Sequence, residues 1–178
     1  MNELLKKEHK GRKDLAGEYK FGDTGQLILL FVFIVIWGAD SFFFRYSTFL
    51  SFYVRWYVQI PLAILFMFAS GYLAQKGLKL VFGDFRAEPE IIDKGVFRFV
   101  RHPIYLGAIL FYLTMIILTV SLLAIVVFLI IIVFYYYLAR YEEKLLLKKF
   151  DGEYEAYMRR VPMWIPRFRK KKDCENNA

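Results

Sequence analysis

The sequence predicts an all-α integral membrane protein of about four transmembrane helices, the last two forming a C-terminal hairpin, without a Rossmann domain. Three observations predict it. The chain of 178 residues is 58% hydrophobic and 20% aromatic. It holds long runs with one charge or none, at residues 25–44, 56–75 and 104–139. Its basic residues lie almost wholly between those runs, as they do in multi-pass membrane proteins. Charged residues make up only 24% of the chain, so little length remains for a soluble domain of ordinary size. The net charge of +8 is accordingly read as Lys and Arg flanking membrane segments and attracting anionic lipid, and nucleic acid is not expected as a partner.

Residues 1–24 mix Lys6, Lys7, Lys10, Arg12, Lys13 and Lys20 with acids, and form a solvated N-terminal segment without the apolar core of a secretory signal. Residues 25–75 supply two spans. The first, about 25–44, carries only Asp40, placed near its far end and within reach of Arg45. The second, 56–75, is bracketed by Arg55 and Lys76, with Pro61 expected to bend it near one end and Gln59 beside the bend. Residues 76–103 form a charged loop. Residues 104–139 are uncharged for thirty-six positions, about 54 Å as one helix against a hydrocarbon core of about 30 Å. That run is expected to fold back near Thr119-Val120-Ser121, giving two short helices of roughly 15 to 18 residues. Residues 140–178 form a charged C-terminal segment ending in a basic tail.

Lys and Arg number six before the first span, two between the first and second, six in residues 76–101, none at the expected reversal and eleven from Arg140 onward. By the positive-inside tendency, both termini and the 76–103 loop are cytoplasmic. The first expectation about mechanism follows: the start of the third helix and the charged stem after the fourth share one face. At that start stands Arg101-His102-Pro103. Proline is suited to the first helical turn and keeps the preceding residue out of the α conformation, so His102 is expected just outside the helix beside unpaired N–H groups. Those groups and the helix dipole favour anions. After the return, Tyr136, Arg140 and Glu143 follow i, i+4, i+7 spacing and would share a stripe if the helix continues. A membrane-anchor pair and an aromatic belt would explain the basic and tyrosine residues; they explain Glu142-Glu143 less well. His9 and His102 are the only histidines and Cys174 the only cysteine, so neither a metal site nor an intrachain disulfide is expected.

Two stretches together resemble the isoprenylcysteine carboxyl methyltransferase and phospholipid methyltransferase superfamily of integral membrane enzymes. The first runs from Gly95 through Phe97, Arg98 and Arg101-His102-Pro103-Ile104-Tyr105-Leu106-Gly107. The second comprises Glu142-Glu143, Phe150, Tyr154, Tyr157, Val161-Pro162 and Ile165-Pro166. Asp151 departs from the family's usual Gly after Phe150, and Gly152 follows one place later, so an altered local turn is expected.

The resemblance implies S-adenosylmethionine as methyl donor, in a cytoplasmic pocket built from the loop and the tail. Cofactor contacts would come from Arg101, His102, Pro103, Tyr105, Gly107, Glu142, Glu143 and Tyr154, with His102, Glu143 and Arg140 as catalytic candidates. The chemistry is compatible: carboxylates and aromatic faces suit a sulfonium and an ammonium, while cations or helix-start N–H groups suit a carboxylate. The acceptor would be lipophilic and enter from the bilayer. An isoprenylcysteine carboxylate is the first expectation, with a phospholipid amine or a thiol as alternatives. A membrane scaffold or lipid-binding protein, anchored by Met163-Trp164-Ile165 and the basic tail, is the non-enzymatic alternative.

Overall fold

The structure, a computed structural model, describes residues 22–83 and 90–165. Every regular element among them is helical, and no strand is present among the described residues. The helices are α1 (Gly22–Gly38), α2 (Trp56–Phe82), α3 (Pro103–Thr119) and α4 (Leu122–Arg160). A π-helical turn, Ala39–Phe44, prolongs α1, and short 3-10 turns occupy Phe49–Phe52 and Gly95–Arg98. The expected N-terminal basic segment, apart from its last residues, and the basic tail with Cys174 lie outside the described residues.

Among the described residues, three helical stretches are long and apolar enough to cross a membrane: Thr24–Phe44, Trp56–Phe82 and Leu122–Arg160. The third span is short, within the roughly 15 to 18 residues expected of it. α3 has 17 residues, about 25 Å of helical rise, and lies between α2 on one side and α1 and α4 on the other. Pro103 opens it and a reversal closes it, which limits its length. Val120 takes the left-handed conformation at φ 50° and returns its N–H to Ile116. Ser121 then caps α4, its hydroxyl accepting the Ala124 N–H at 3.1 Å. The chain therefore turns back where length alone required it, and α3 and α4 run antiparallel.

α2 continues past Gln75 to Phe82, since a helix keeps its hydrogen bonds beyond the end of its uncharged run. Pro61 sits in its second turn without ending the helix. Its closest partner is α3, along a stripe of small residues: Ser70, Ala74 and Gly77 face Gly107, Pro103 and Ile104. A Cβ on Gly107 would lie 3.1 Å from the Ser70 carbonyl and 3.2 Å from the Ala74 nitrogen. Ser70 donates its hydroxyl to the Gly107 carbonyl at 2.7 Å. Such close approach through small residues is how helices associate in lipid, where apolar burial gives little preference for neighbour over solvent.

α1 docks on the other side, across the α3–α4 pair. Phe33, Ile109, Tyr112, Ile116, Ile131, Tyr135 and Leu138 form the core where these three helices meet. Trp37 donates its indole N–H to the Met115 carbonyl and the Thr119 hydroxyl, both at 3.0 Å. Asp40 does not pair with Arg45. The π turn and a left-handed Arg45 swing the chain round so that Ser47 comes under the Asp40 carboxylate, which accepts the hydroxyls of Ser47 and Ser121 and the Ser47 N–H. Gln59 lines an open groove with the apolar side chains of Val58, Leu62, Ile116 and Val120.

Candidate functional site

Gly95 begins the approach to α3. Its φ of 58° is a conformation natural to glycine, and a Cβ there would meet Leu80 at 2.8 Å. The 3-10 turn it opens delivers the chain to Arg101 and His102, whose backbone N–H groups donate to the carbonyls of Pro162 at 2.9 Å and Met163 at 3.3 Å. The segment after α4 is thus laid alongside the start of α3. Pro103 occupies the first helical turn and His102 the cap position, at φ −122° and ψ 66°. No side chain caps this end, so its first N–H groups are not taken up by a capping residue.

Arg101 is a tether. Its Nε donates to Glu143 Oε1 at 2.7 Å, while Nη1 donates to the carbonyls of Met158 at 3.0 Å and Val161 at 2.6 Å. It satisfies the last carbonyls of α4 and presses a positive charge against the negative end of that helix. His102 is buried, with Nε2 at 3.3 Å from Glu143 Oε1 and Nδ1 at 3.7 Å from Glu142 Oε2. Its ring lies parallel to that of Tyr105, within 3° and with centroids 5.5 Å apart. Tyr105 donates its hydroxyl to Glu142 Oε1.

Glu143 is 1% exposed. Burial works to raise its carboxyl, but the hydrogen bond to His102 and the charge of Arg101 outweigh burial and hold it below its ordinary value. Its Oε2 is buried with no hydrogen-bond partner among the described residues, and Arg140 Nη1 stands 3.5 Å away. Arg140 itself is half exposed. Tyr154 lies behind the acids with Tyr157, Val161 and Phe150 in a second apolar cluster. Burial pushes both phenols up, and the Glu143 charge adds to the effect at Tyr154. The Tyr157 hydroxyl donates to the Phe97 carbonyl at 2.7 Å, fixing the 3-10 turn on α4.

The structure therefore brings Arg101, His102, Tyr105, Glu142, Glu143 and Arg140 together, with Tyr154 behind them. Gly107 is elsewhere: it faces Ser70 and Ala74 and sets the distance between α2 and α3. Pro103 packs beside Gly77 and serves the same contact. The stripe of Tyr136, Arg140 and Glu143 lies on one continuous helix, yet Glu143 is buried while Tyr136 and Arg140 are open. Two neighbours were missed in the sequence. Tyr135 stands 5.3 Å from Tyr105, ring to ring, and its i, i+7 relation to Glu142 was the available signal. Trp164 packs edge-on to Tyr136 at 6.4 Å, within a stretch that reads as a surface anchor.

Chemically, this is a partly buried lip bearing two carboxylates, an imidazole, a phenol and a half-exposed guanidinium. It can meet a cation at Glu143, accept a proton at His102 or Glu142, and orient an anion at Arg140. The family model described as phospholipid methyltransferase matches residues 57–153, which hold α2, α3 and α4 as far as Glu153. No curated protein and no solved structure matches the chain.

Proposed function

The chain belongs to the phospholipid methyltransferase family, within the isoprenylcysteine carboxyl methyltransferase-like membrane methyltransferases, and we propose that it methylates the amine of a phospholipid headgroup with S-adenosylmethionine as donor. The observation that carries this reading is the contact of His102 and Tyr105 with Glu143 and Glu142. When bound, the donor supplies an electrophilic methyl group on a sulfonium. The residues suit it. Glu143 Oε2, buried with no hydrogen-bond partner among the described residues, and the faces of His102 and Tyr105 would hold its cationic groups, and the uncapped start of α3 would hold its carboxylate.

An amine acceptor carries a proton near neutral pH and must lose it before attack. His102 and the Glu142–Tyr105 pair are in place to accept that proton, and Arg140 to orient the headgroup. A prenylcysteine carboxylate needs no base, so the amine is the acceptor that makes use of these proton-accepting groups. Alignment and exclusion of water do the remaining work. The distribution of basic residues supports placing the site and both termini on the cytoplasmic side.

The test is labelled methyl transfer by the purified full chain in lipid nanodiscs, offered an amine phospholipid, a prenylcysteine analogue and a small thiol. Label is expected in the phospholipid, and is expected to fall at least a hundredfold in His102→Ala and Glu143→Ala, on the order of a lost general-base or positioning group. Label appearing as a prenylcysteine methyl ester, with none on the amine, overturns the acceptor. A folded sample that binds neither the donor nor its demethylated product overturns the donor.

A further inference from the structure

Trp164 buries its indole Nε1, and that nitrogen has no hydrogen-bond partner among the described residues. A tryptophan N–H is a donor only, and leaving one unmade inside a protein costs free energy, so a ligand oxygen that accepts it gains that free energy back. Its position is set from two sides. Met163, next to it, accepts the His102 N–H, which holds this segment against the start of α3. The Trp164 ring meets the Tyr136 ring edge-on at 79°.

Tyr136 lies one helical turn before Arg140, on the same face of α4. Arg140 forms no hydrogen bond among the described residues; its one charged neighbour is Glu143 Oε2 at 3.5 Å, and its guanidinium is half exposed. It is also the first charged residue after the uncharged stretch 104–139, so it stands at the depth of lipid headgroups. A donor without a partner among the described residues, on a ring in contact with Tyr136, and a guanidinium with spare donors one turn further along α4 are therefore both next to residues of the lip: Met163 holds the His102 N–H, and Arg140 stands by Glu143.

We propose that Trp164 Nε1 and Arg140 form a clamp for the phosphodiester of the acceptor lipid, making Trp164 a specificity-determining residue. This rests on the amine-phospholipid reading above and deepens it. The clamp takes one anionic oxygen on the indole N–H and another on the guanidinium, a pairing suited to a phosphate group. The two-carbon spacer of an ethanolamine headgroup then carries the amine toward His102 and Glu142. A long-chain amine without phosphate gains nothing from the clamp.

The experiment compares methyl transfer to phosphatidylethanolamine and to a phosphate-free long-chain primary amine, by the full chain and by Trp164→Phe, which keeps the ring and removes the donor. The preference for the phospholipid, as a ratio of kcat/KM values, is expected to fall about tenfold in Trp164→Phe, the effect of one lost charge-assisted hydrogen bond, and further in Arg140→Gln. An unchanged ratio overturns the clamp. So does weaker binding of the demethylated donor in Trp164→Phe, which would assign the indole to the donor's carboxylate.

Binding of short-chain phosphatidylethanolamine in detergent is measured in parallel, without turnover. If the lipid binds with the same sensitivity to Trp164→Phe but no amine is methylated, the proposed function fails and the clamp stands. If amines are methylated but lipid binding ignores the substitution, the clamp fails and the function stands. Excess inorganic phosphate is expected to leave lipid binding intact; Trp164-dependent binding of free phosphate in place of the lipid overturns the assignment to a lipid headgroup.

Discussion

Arg101 and His102 meet Glu143 Oε1 from two sides and favour the ionised carboxylate inside the protein. Its carboxyl is held below the ordinary 4.5, so its contribution to stability is complete above that value and is lost as pH falls through the depressed one. Wild-type protein in detergent is therefore expected to lose melting temperature as pH drops from about 5 to about 3, and Glu143→Gln to lose less over the same interval. Equal losses would mean that the pair adds no pH-dependent stability. The acids and the histidine were legible in the sequence as chemistry. The tethering role of Arg101 was not, because its partners at Met158 and Val161 are backbone carbonyls that any residue could supply.

Two elements carry predictions of their own. α4 is interrupted by Asp151, at φ 42° and ψ −123°, a conformation natural to glycine and strained for aspartate. Asp151→Gly is expected to stabilise the protein by about 1 kcal/mol, read as a higher melting temperature. The expected altered turn is thus a kink inside a helix that runs on to Arg160, bringing Tyr154 and Tyr157 back under the acids. In the α2–α3 contact, a side chain on Gly107 must displace backbone rather than a movable side-chain tip. Gly107→Val is expected to cost about 1 to 3 kcal/mol and to lower donor binding by shifting α3, whereas a role confined to direct cofactor contact would leave the melting temperature unchanged. Periodicity revealed that α2 and α3 were helices; that Ser70, Ala74 and Gly77 would face Gly107 depended on which sides of two apolar helices met.

At the scale of the whole molecule, the family match begins at residue 57, so α1 lies outside it. α1 is nonetheless fastened to the α3–α4 pair, by Phe33 and Trp37 in the core and by Asp40 at the far end. Asp40→Ala would leave two hydroxyls and a backbone N–H without their acceptor, and is expected to cost about 2 kcal/mol. Because α3 separates this latch from His102 by about 25 Å, donor affinity at the opposite end is expected to change less than twofold. Donor binding that falls in step with stability would instead show that the site depends on the latch.

Composition and the spacing of charges were enough, by themselves, to specify a helical membrane protein, the place where its longest apolar run turns back, and a common end for Arg101-His102-Pro103 and Glu142-Glu143. These follow from lengths and from the cost of burying charge in lipid, which a linear chain displays directly. The three-dimensional structure decided that Asp40 binds serines, that Gly107 spaces helices and that Trp164 stands beside the site. Each depends on the rotation of one helix about its axis relative to another, and a uniformly apolar helix has no polar face from which that rotation can be read.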